Sequence, residues 1–290
     1  MTNKSGAAQT LRVALLTAMA MCAFAGNSLL CRLALKDTTI DAASFTTIRL
    51  LSGAVMLWLV VRIRGGAASG AGNWPSALAL FAYAAGFSFA YLTLSAATGA
   101  LLLFGAVQAT MIGHGLWRGE KMRRPQLAGL VLAFGGLVGL MLPGLSAPPL
   151  LGSLLMMGAG IAWGVYSLRG RSAGDATRVT AGNFLRAAPM TATLSILMLG
   201  RVSLDTAGVC YAVASGALAS GLGYAIWYTA LPGLKATKAA TVQLSVPVLA
   251  ALGGVIFLGE AITLRLALAS MAILGGIALV ILEKQAARTA

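Results

Sequence analysis

Apolar runs of about 20 residues follow one another along nearly the whole chain, separated by short gaps that are charged or rich in Gly and Pro. A helix needs about 20 apolar residues to cross the hydrocarbon core of a bilayer. Ten such windows can be marked, at roughly 12–35, 42–61, 75–95, 98–117, 125–142, 150–168, 179–199, 206–230, 237–258 and 262–282. In hydrocarbon every backbone N–H and C=O must be satisfied internally, which leaves only helices or closed barrels. These windows are too long for barrel strands. The expected fold class is therefore an all-α integral membrane protein with ten transmembrane helices. Composition agrees, because a soluble domain carries about a quarter charged residues and this chain carries 10%.

The net charge of +14 could suggest a nucleic-acid partner. The basic residues instead stand singly or in small groups between apolar runs, as in cytoplasmic loops of membrane proteins. With the N-terminus placed in the cytoplasm, Arg32, Lys36, Arg201 and Arg265 fall in outside segments, and Arg49 and Arg186 fall within spans. The other fifteen of the 21 Lys and Arg fall inside. That bias supports an even number of spans with both termini cytoplasmic, in a multi-pass protein of the inner (plasma) membrane. Ala23-Phe24-Ala25, after Lys4 and Arg12, resembles a signal-peptide cleavage site. The apolar run from Leu11 to Leu35 is longer than a signal core, so it reads as a retained first span. Cys22, Cys31 and Cys210 lie inside apolar runs without metal-binding or disulfide spacing. No cofactor or metal is expected. The expected partners are a small-molecule substrate and the lipid bilayer, without nucleic acid, and one chain suffices.

An internal repeat organises the windows. Gly119-Glu120 matches Gly259-Glu260 and Gly135-Gly136 matches Gly275-Gly276, both at an offset of 140. Ala23-Phe24 matches Ala162-Trp163, Ser28 and Arg32 match Ser167 and Arg171, and Phe45…Arg49 resembles Asn183-Phe184-Leu185-Arg186 with the arginines aligned. The units are 1–144 and 145–290, five spans each, forming one membrane domain. An odd number of spans forces the second unit to enter the membrane from the opposite side. Inverted repeats recur in secondary transporters, whose substrate sites lie near the midplane between the halves. Gly135/Gly139 and Ala272/Gly276 are expected helix-packing faces, since small residues four apart let backbones approach in lipid.

The stretch Val246-Pro247-Val248-Leu249-Ala250-Ala251-Leu252-Gly253-Gly254-Val255-Ile256-Phe257-Leu258-Gly259-Glu260, followed by Gly275-Gly276, resembles the ninth and tenth spans of the drug/metabolite transporter superfamily (EamA type). Phe45 to Arg49 is similar to that family's second span, and the likeness extends over essentially the whole chain. Among its branches the chain looks most like the bacterial aromatic amino-acid exporters related to YddG. The resemblance implies transport by alternating access, and the direction of export rests on it alone. One departure is Val107 where the second half has Pro247.

All seven acidic residues, Asp37, Asp41, Glu120, Asp175, Asp205, Glu260 and Glu283, fall in loops or at span ends. Transport of a lipophilic cation usually needs an intramembrane carboxylate, so cation/proton antiport is disfavoured. The residues expected at mid-depth are polar and aromatic. Asn27, Tyr83, Phe87, Tyr91, Gln108, Trp163, Tyr224 and Gln243 are the candidate substrate contacts. For Tyr83, Trp163 and Tyr224, core packing is an equal alternative, whereas Trp58, Trp74 and Trp117 read as interfacial anchors. This set suits a solute with an aromatic or apolar body and hydrogen-bonding ends, such as an amino acid. Arg49 and Arg186 are charges within the membrane. Depth and pseudo-symmetry suggest Arg49 with Glu260 near the outer face and Arg186 with Glu120 near the inner face. These would be structural ion pairs or alternating gates, and a third reading has an arginine holding a substrate carboxylate. His114 could carry a coupled proton or simply pack. A different solute (nucleoside, sugar-linked or cationic), a channel, and an intramembrane hydrolase using Ser220 stand as alternatives.

Overall fold

The computed structural model describes residues 3–66, 71–119, 122–144, 147–170, 174–234 and 236–289, and all regular structure in them is helical. The long helices in the first half are α1 (Asn3–Asp37), α2 (Ala42–Ile63), α3 (Trp74–Tyr91), α4 (Ala96–Trp117) and α5 (Arg124–Met141). The second half opens with α6 (Leu150–Gly170) and α7 (Ala176–Leu197). Next comes a composite rod, Thr206–Gly233, in which a π-helical stretch, Ala214–Leu222, joins α8 (Thr206–Val213) to α9 (Gly223–Ala230). α10 (Ala236–Gln243) and α11 (Ser245–Leu258) meet at a turn at Leu244, and α12 (Leu264–Thr289) follows. Gly259 ends α11 with φ 61°, a left-handed conformation that glycine adopts without steric cost.

The helices begin where a side chain can take the first orphan N–H groups. Asp41 caps α2, Asn73 caps α3, Ser95 caps α4, Asp175 caps α7 and Asp205 caps α8. Three of the acidic residues that the sequence places at span ends are thus helix caps. Asp41 also ties two loops together. Its Oδ2 accepts from Ser203 N at 3.0 Å, and its own N–H donates to Ser203 O at 3.1 Å. Partial burial pushes this carboxyl up, but hydrogen bonds from Ser44, Ser203 and Ala43 outweigh that and hold it below the ordinary carboxylate value.

Among the described residues, eight helices are long and apolar enough to cross a membrane. They are α1 from Ala8, α2, α4, α5, α6, the Thr206–Gly233 rod, Lys238–Leu258, and Leu264–Leu282 of α12. α3 and α7 are not among them. Both carry polar groups in their interiors, and those groups point inward: Tyr83, Ser88 and Tyr91 on α3, and Thr180, Asn183 and Thr191 on α7, are buried. A helix shielded by its neighbours needs less apolar surface than one facing lipid. α5 and α12 show the complementary pattern, with Leu132, Phe134, Leu264, Leu268 and Met271 exposed, as expected where lipid is the solvent.

α2 packs on α7 and on the π stretch, α3 and α4 pack on α6, α1 packs on α9 and α11, α4 packs on α11, and α5 packs on α12. Glycines make the closest approaches. A Cβ at Gly216 would overlap the carbonyl oxygen of Arg49, and one at Gly182 would overlap that of Ala71. On α5 the contact face is Gly129, Ala133 and Gly136 against Ala272, Ile273 and Gly276, whereas Gly135 and Gly139 have nothing within 4 Å of a Cβ. The expected small-residue face on α12 is therefore in place. The one on α5 is displaced around the helix, because residues 135 and 136 differ by about 100° in direction.

Two outcomes follow from this packing. Gly216→Val should destabilise the protein by about 1–3 kcal/mol or more through forced overpacking, read as a lower melting temperature in detergent. Asp41→Ala should melt below wild type at neutral pH. Because the folded Asp41 carboxyl sits below its unfolded value, its contribution is full above about pH 4. The gap between the two proteins should narrow as pH falls through the lower folded value.

Candidate functional site

α3 runs for 18 residues, about 27 Å at 1.5 Å per residue, and three polar clusters lie along it. The middle one gathers side chains from six elements. Asn27 comes from α1, Arg49 from α2, Tyr83 and Phe87 from α3, Trp163 from α6, Ser215 from the π stretch and Tyr224 from α9. Ser215 donates its hydroxyl to Asn27 Oδ1 at 2.6 Å, and Asn27 Nδ2 donates to the Tyr83 hydroxyl at 3.3 Å. Arg49 Nη2 donates to the same hydroxyl at 3.0 Å. The guanidinium also stands 4.7 Å from the Phe87 ring centre and 5.3 Å from that of Tyr83, a cation–π arrangement.

The aromatic side of this cluster is built around Trp163. Its ring lies 4.8 Å from Tyr83, 5.1 Å from Tyr224 and 5.3 Å from Tyr166. A cavity of about 20 Å³ lies within it, lined by Phe24, Asn27, Ser28, Tyr83, Phe87, Leu103, Phe104, Trp163, Tyr224 and Gln243. That is room for roughly one water. No lining residue is acidic. Asn27, Tyr83, Phe87, Trp163, Tyr224 and Gln243 from the expected set meet here. Tyr91 does not line the cavity. It lies beyond Phe87, with ring centres 4.8 Å apart, and donates its hydroxyl to Ala96 O at 3.4 Å. Gln108 is buried on α4 but is not in the lining.

At the Tyr91 end of α3, Arg32 Nε meets Glu260 Oε1 at 3.1 Å, with side chains 14% and 11% exposed. Arg32 Nη1 donates to Tyr91 O at 2.9 Å, and Glu260 Oε2 accepts from Ala96 N at 2.8 Å. The clasp joins α1, the α3–α4 corner and the segment after α11. It corrects the expected pairing: the partner of Glu260 is Arg32, and Arg49 turns to Tyr83 instead. Arg32 lies at the end of a long helix beside the loop that carries Glu260, while Arg49 sits deeper and is walled off by Tyr83 and Phe87.

At the opposite end of α3 a larger cavity, about 190 Å³, is lined by Gly72, Asn73, Ser76, Tyr166, Arg169, Gly170, Ala176, Val179, Thr180, Asn183 and Tyr228. Arg169 donates to Ser76 Oγ at 3.1 Å and Asn73 Oδ1 at 3.3 Å. Asn183 Nδ2 donates to the Tyr166 hydroxyl at 3.3 Å, and Asn183 Oδ1 accepts from Asn73 N at 2.9 Å. Asn183 lines this cavity, although the sequence pattern singles it out only as a repeat element. An amide inside an apolar span is itself the signal that could have found it. Arg186 Nη1 donates to the carbonyls of Ala71 and Gly182, and Glu120, its expected partner, lies outside the described residues. Arg186 also differs from Arg49 in setting. Phe45 and Phe184 are 139 apart, which puts Ala188, not Arg186, opposite Arg49. His114 is half-buried near the end of α4, with Trp117 at 6.1 Å. Ser220 is buried on the π stretch, its Oγ without a hydrogen-bond partner.

Residues 150–282 match the EamA-like transporter family. An uncharacterized protein of Pseudomonas aeruginosa is 59% identical over 271 residues, covering 93% of this chain and 94% of the relative. An uncharacterized transporter of Archaeoglobus fulgidus is 27% identical over 251 residues, 82% of this chain and 86% of that one. The second half of the chain thus carries an EamA-like transporter match. With the archaeal transporter relative, that match supports a multi-pass membrane transporter of the drug/metabolite transporter superfamily. A solved crystal structure, 21% identical, covers 94% of the transporter and 98% of its own chain with a TM-score of 0.67, a likeness of fold.

Glu260→Gln removes the charge from the clasp and should lower stability by about 1–3 kcal/mol. A double-mutant cycle with Arg32→Met, measured by melting in detergent, should show coupling of at least about 0.5 kcal/mol between the two positions.

Proposed function

We propose that this transporter is a ten-span secondary carrier of two inverted five-helix units with cytoplasmic termini. In this reading it exports small zwitterionic or neutral metabolites, foremost aromatic and hydrophobic amino acids, from the cell through the inner membrane. The observation that carries the substrate reading is the middle cluster of α3. There Trp163, Tyr83, Tyr224 and Phe87 surround a cavity edged by Asn27, Gln243 and Ser28 and by no carboxylate. Aromatic rings offer stacking surfaces to an apolar body, and the amides and hydroxyls offer partners to its polar ends.

The helix contacts support the two-unit architecture. Exchanging α1 with α6, α2 with α7, α3 with the Thr206–Gly233 rod, α4 with α10–α11 and α5 with α12 carries the most extensive packings onto one another. Contacts α2–α7, α4–α11 and α5–α12 map onto themselves. Contact α3–α6 maps onto α9–α1, α4–α6 onto α11–α1, and α2 with the π stretch onto α7 with α3. Such exchange is what a pseudo-two-fold relation between five-helix units demands, and the odd count then makes them inverted.

The asymmetry of the two ends supports alternating access. The Arg32–Glu260 clasp closes the end that the loop charges assign to the outside. The 190 Å³ cavity lies at the end they assign to the cytoplasm. In an exporter this is the arrangement that loads substrate. The clasp would act as the outer gate, opening while the Asn73–Arg169–Asn183 end closes.

Purified protein in liposomes, tested with tryptophan, phenylalanine, threonine and a lipophilic cation, should give saturable flux of the aromatic amino acids. Movement of the cation alone would overturn this reading.

A further inference from the structure

Arg49 is a charge buried without a countercharge. It is 1% exposed, and among the described residues no acidic side chain lies within ion-pair distance of it. A guanidinium presents five N–H donors. Its Nη2 is taken by Tyr83, but Nη1 is shut away from solvent and has no hydrogen-bond partner. Contact with the Phe87 and Tyr83 rings offsets part of the desolvation cost. Ring contact alone compensates a buried cation far less than a carboxylate does. Yet the fold drives this group inward. Gly216 lies against the backbone of Arg49 so closely that no side chain fits between them, which seats α2 deep in the bundle.

The same two rings that stack on Arg49 also form a wall of the central cavity. The guanidinium is therefore one aromatic layer behind the space where a solute would lie. Tyr83 belongs to that layer, and its hydroxyl is the link between Arg49 and Asn27.

Resting on the reading of this cluster as the transport site, we propose that Arg49 is the receptor for the solute's carboxylate, so that the site takes organic carboxylates and rejects their amides and decarboxylated amines. The carboxylate would accept hydrogen bonds from the guanidinium, including Nη1, and supply the missing countercharge. The apolar body would rest among Tyr83, Trp163 and Tyr224. A cation would meet the Arg49 charge with no carboxylate to balance it.

The test is competition for tritiated tryptophan on the reconstituted full chain, with indole-3-propionate, tryptophanamide and tryptamine as competitors. Indole-3-propionate should compete, and the amide and the amine should be weaker by roughly 10- to 100-fold, the span of a charge-assisted hydrogen bond. Arg49→Gln should abolish that preference, and Arg49→Lys should keep part of it. Equal competition by acid, amide and amine in the wild type overturns the proposal, as does unchanged acid binding in a folded Arg49→Gln protein. If Arg49→Gln does not fold, wild-type selectivity decides by itself. The two readings fail separately. Arg49-dependent binding of 4-methyl-2-oxopentanoate without tryptophan or phenylalanine removes the aromatic amino-acid reading and leaves the carboxylate receptor standing. Tryptophan binding that tryptamine matches does the reverse. If none of these acids binds, the receptor is overturned.

Discussion

The close approach of the π-helical stretch to α2 is the contact on which the interior depends. Gly216 meets the carbonyl of Arg49 with no room for a Cβ, and Gly53 of α2 faces the Phe184 ring and the carbonyl of Gly216. In lipid there is no hydrophobic drive between helices, so association rests on such close packing and on hydrogen bonds between helices. The π geometry displaces the backbone locally, as such bulges often do at functional sites. It places Ser215 against Asn27, and through Asn27 and Tyr83 the contact reaches the guanidinium. One backbone seam thereby positions the hydrogen-bonded chain that defines the centre of the protein.

Polarity in this protein is arranged by depth. α3 passes from the Asn73–Arg169–Asn183 cavity, through the Tyr83–Phe87 cluster, to the carbonyls that hold Arg32. α3 and α7 can be less apolar than the other long helices because they spend that polarity inward. Where the lipid-facing pair α5 and α12 meet, the contact is made by glycine and alanine and carries little chemistry. Scaffold and site are thus separated by helix. The outer helices supply apolar surface, and the inner ones supply amides, hydroxyls, rings and a single deep arginine.

Much of this was legible in the chain itself. The length of the apolar runs specifies helices, and among the described residues eight of them meet the requirement for crossing a membrane. Depth along a helix can be counted, which is why Asn27, Tyr83, Phe87, Trp163, Tyr224 and Gln243 were identifiable as a mid-depth set and do line one cavity. Direction around a helix was not legible. An amphipathic helix announces its inner face, but a helix apolar all round does not. Hence residue spacing points to Gly135/Gly139 where Gly129/Gly136 serves as the packing face, and mid-depth polarity groups Tyr91 and Gln108 with a cavity they do not line.

Pairings between distant segments were the other thing only the tertiary structure decided. Arg32 and Glu260 are 228 positions apart, as are no two residues of a single helix, and nothing local couples them. Charge and depth made Arg49 an equally good partner on paper. What distinguishes the two is the three-dimensional wall of Tyr83 and Phe87, which leaves Arg32 free to reach the carboxylate and encloses Arg49. The sequence by itself determined that this chain is helical, apolar and poor in interior carboxylates, because those are properties of residue type and run length. Which charge is paired and which stands alone was decided by packing, because it depends on the angle at which each helix turns its side chains toward the others.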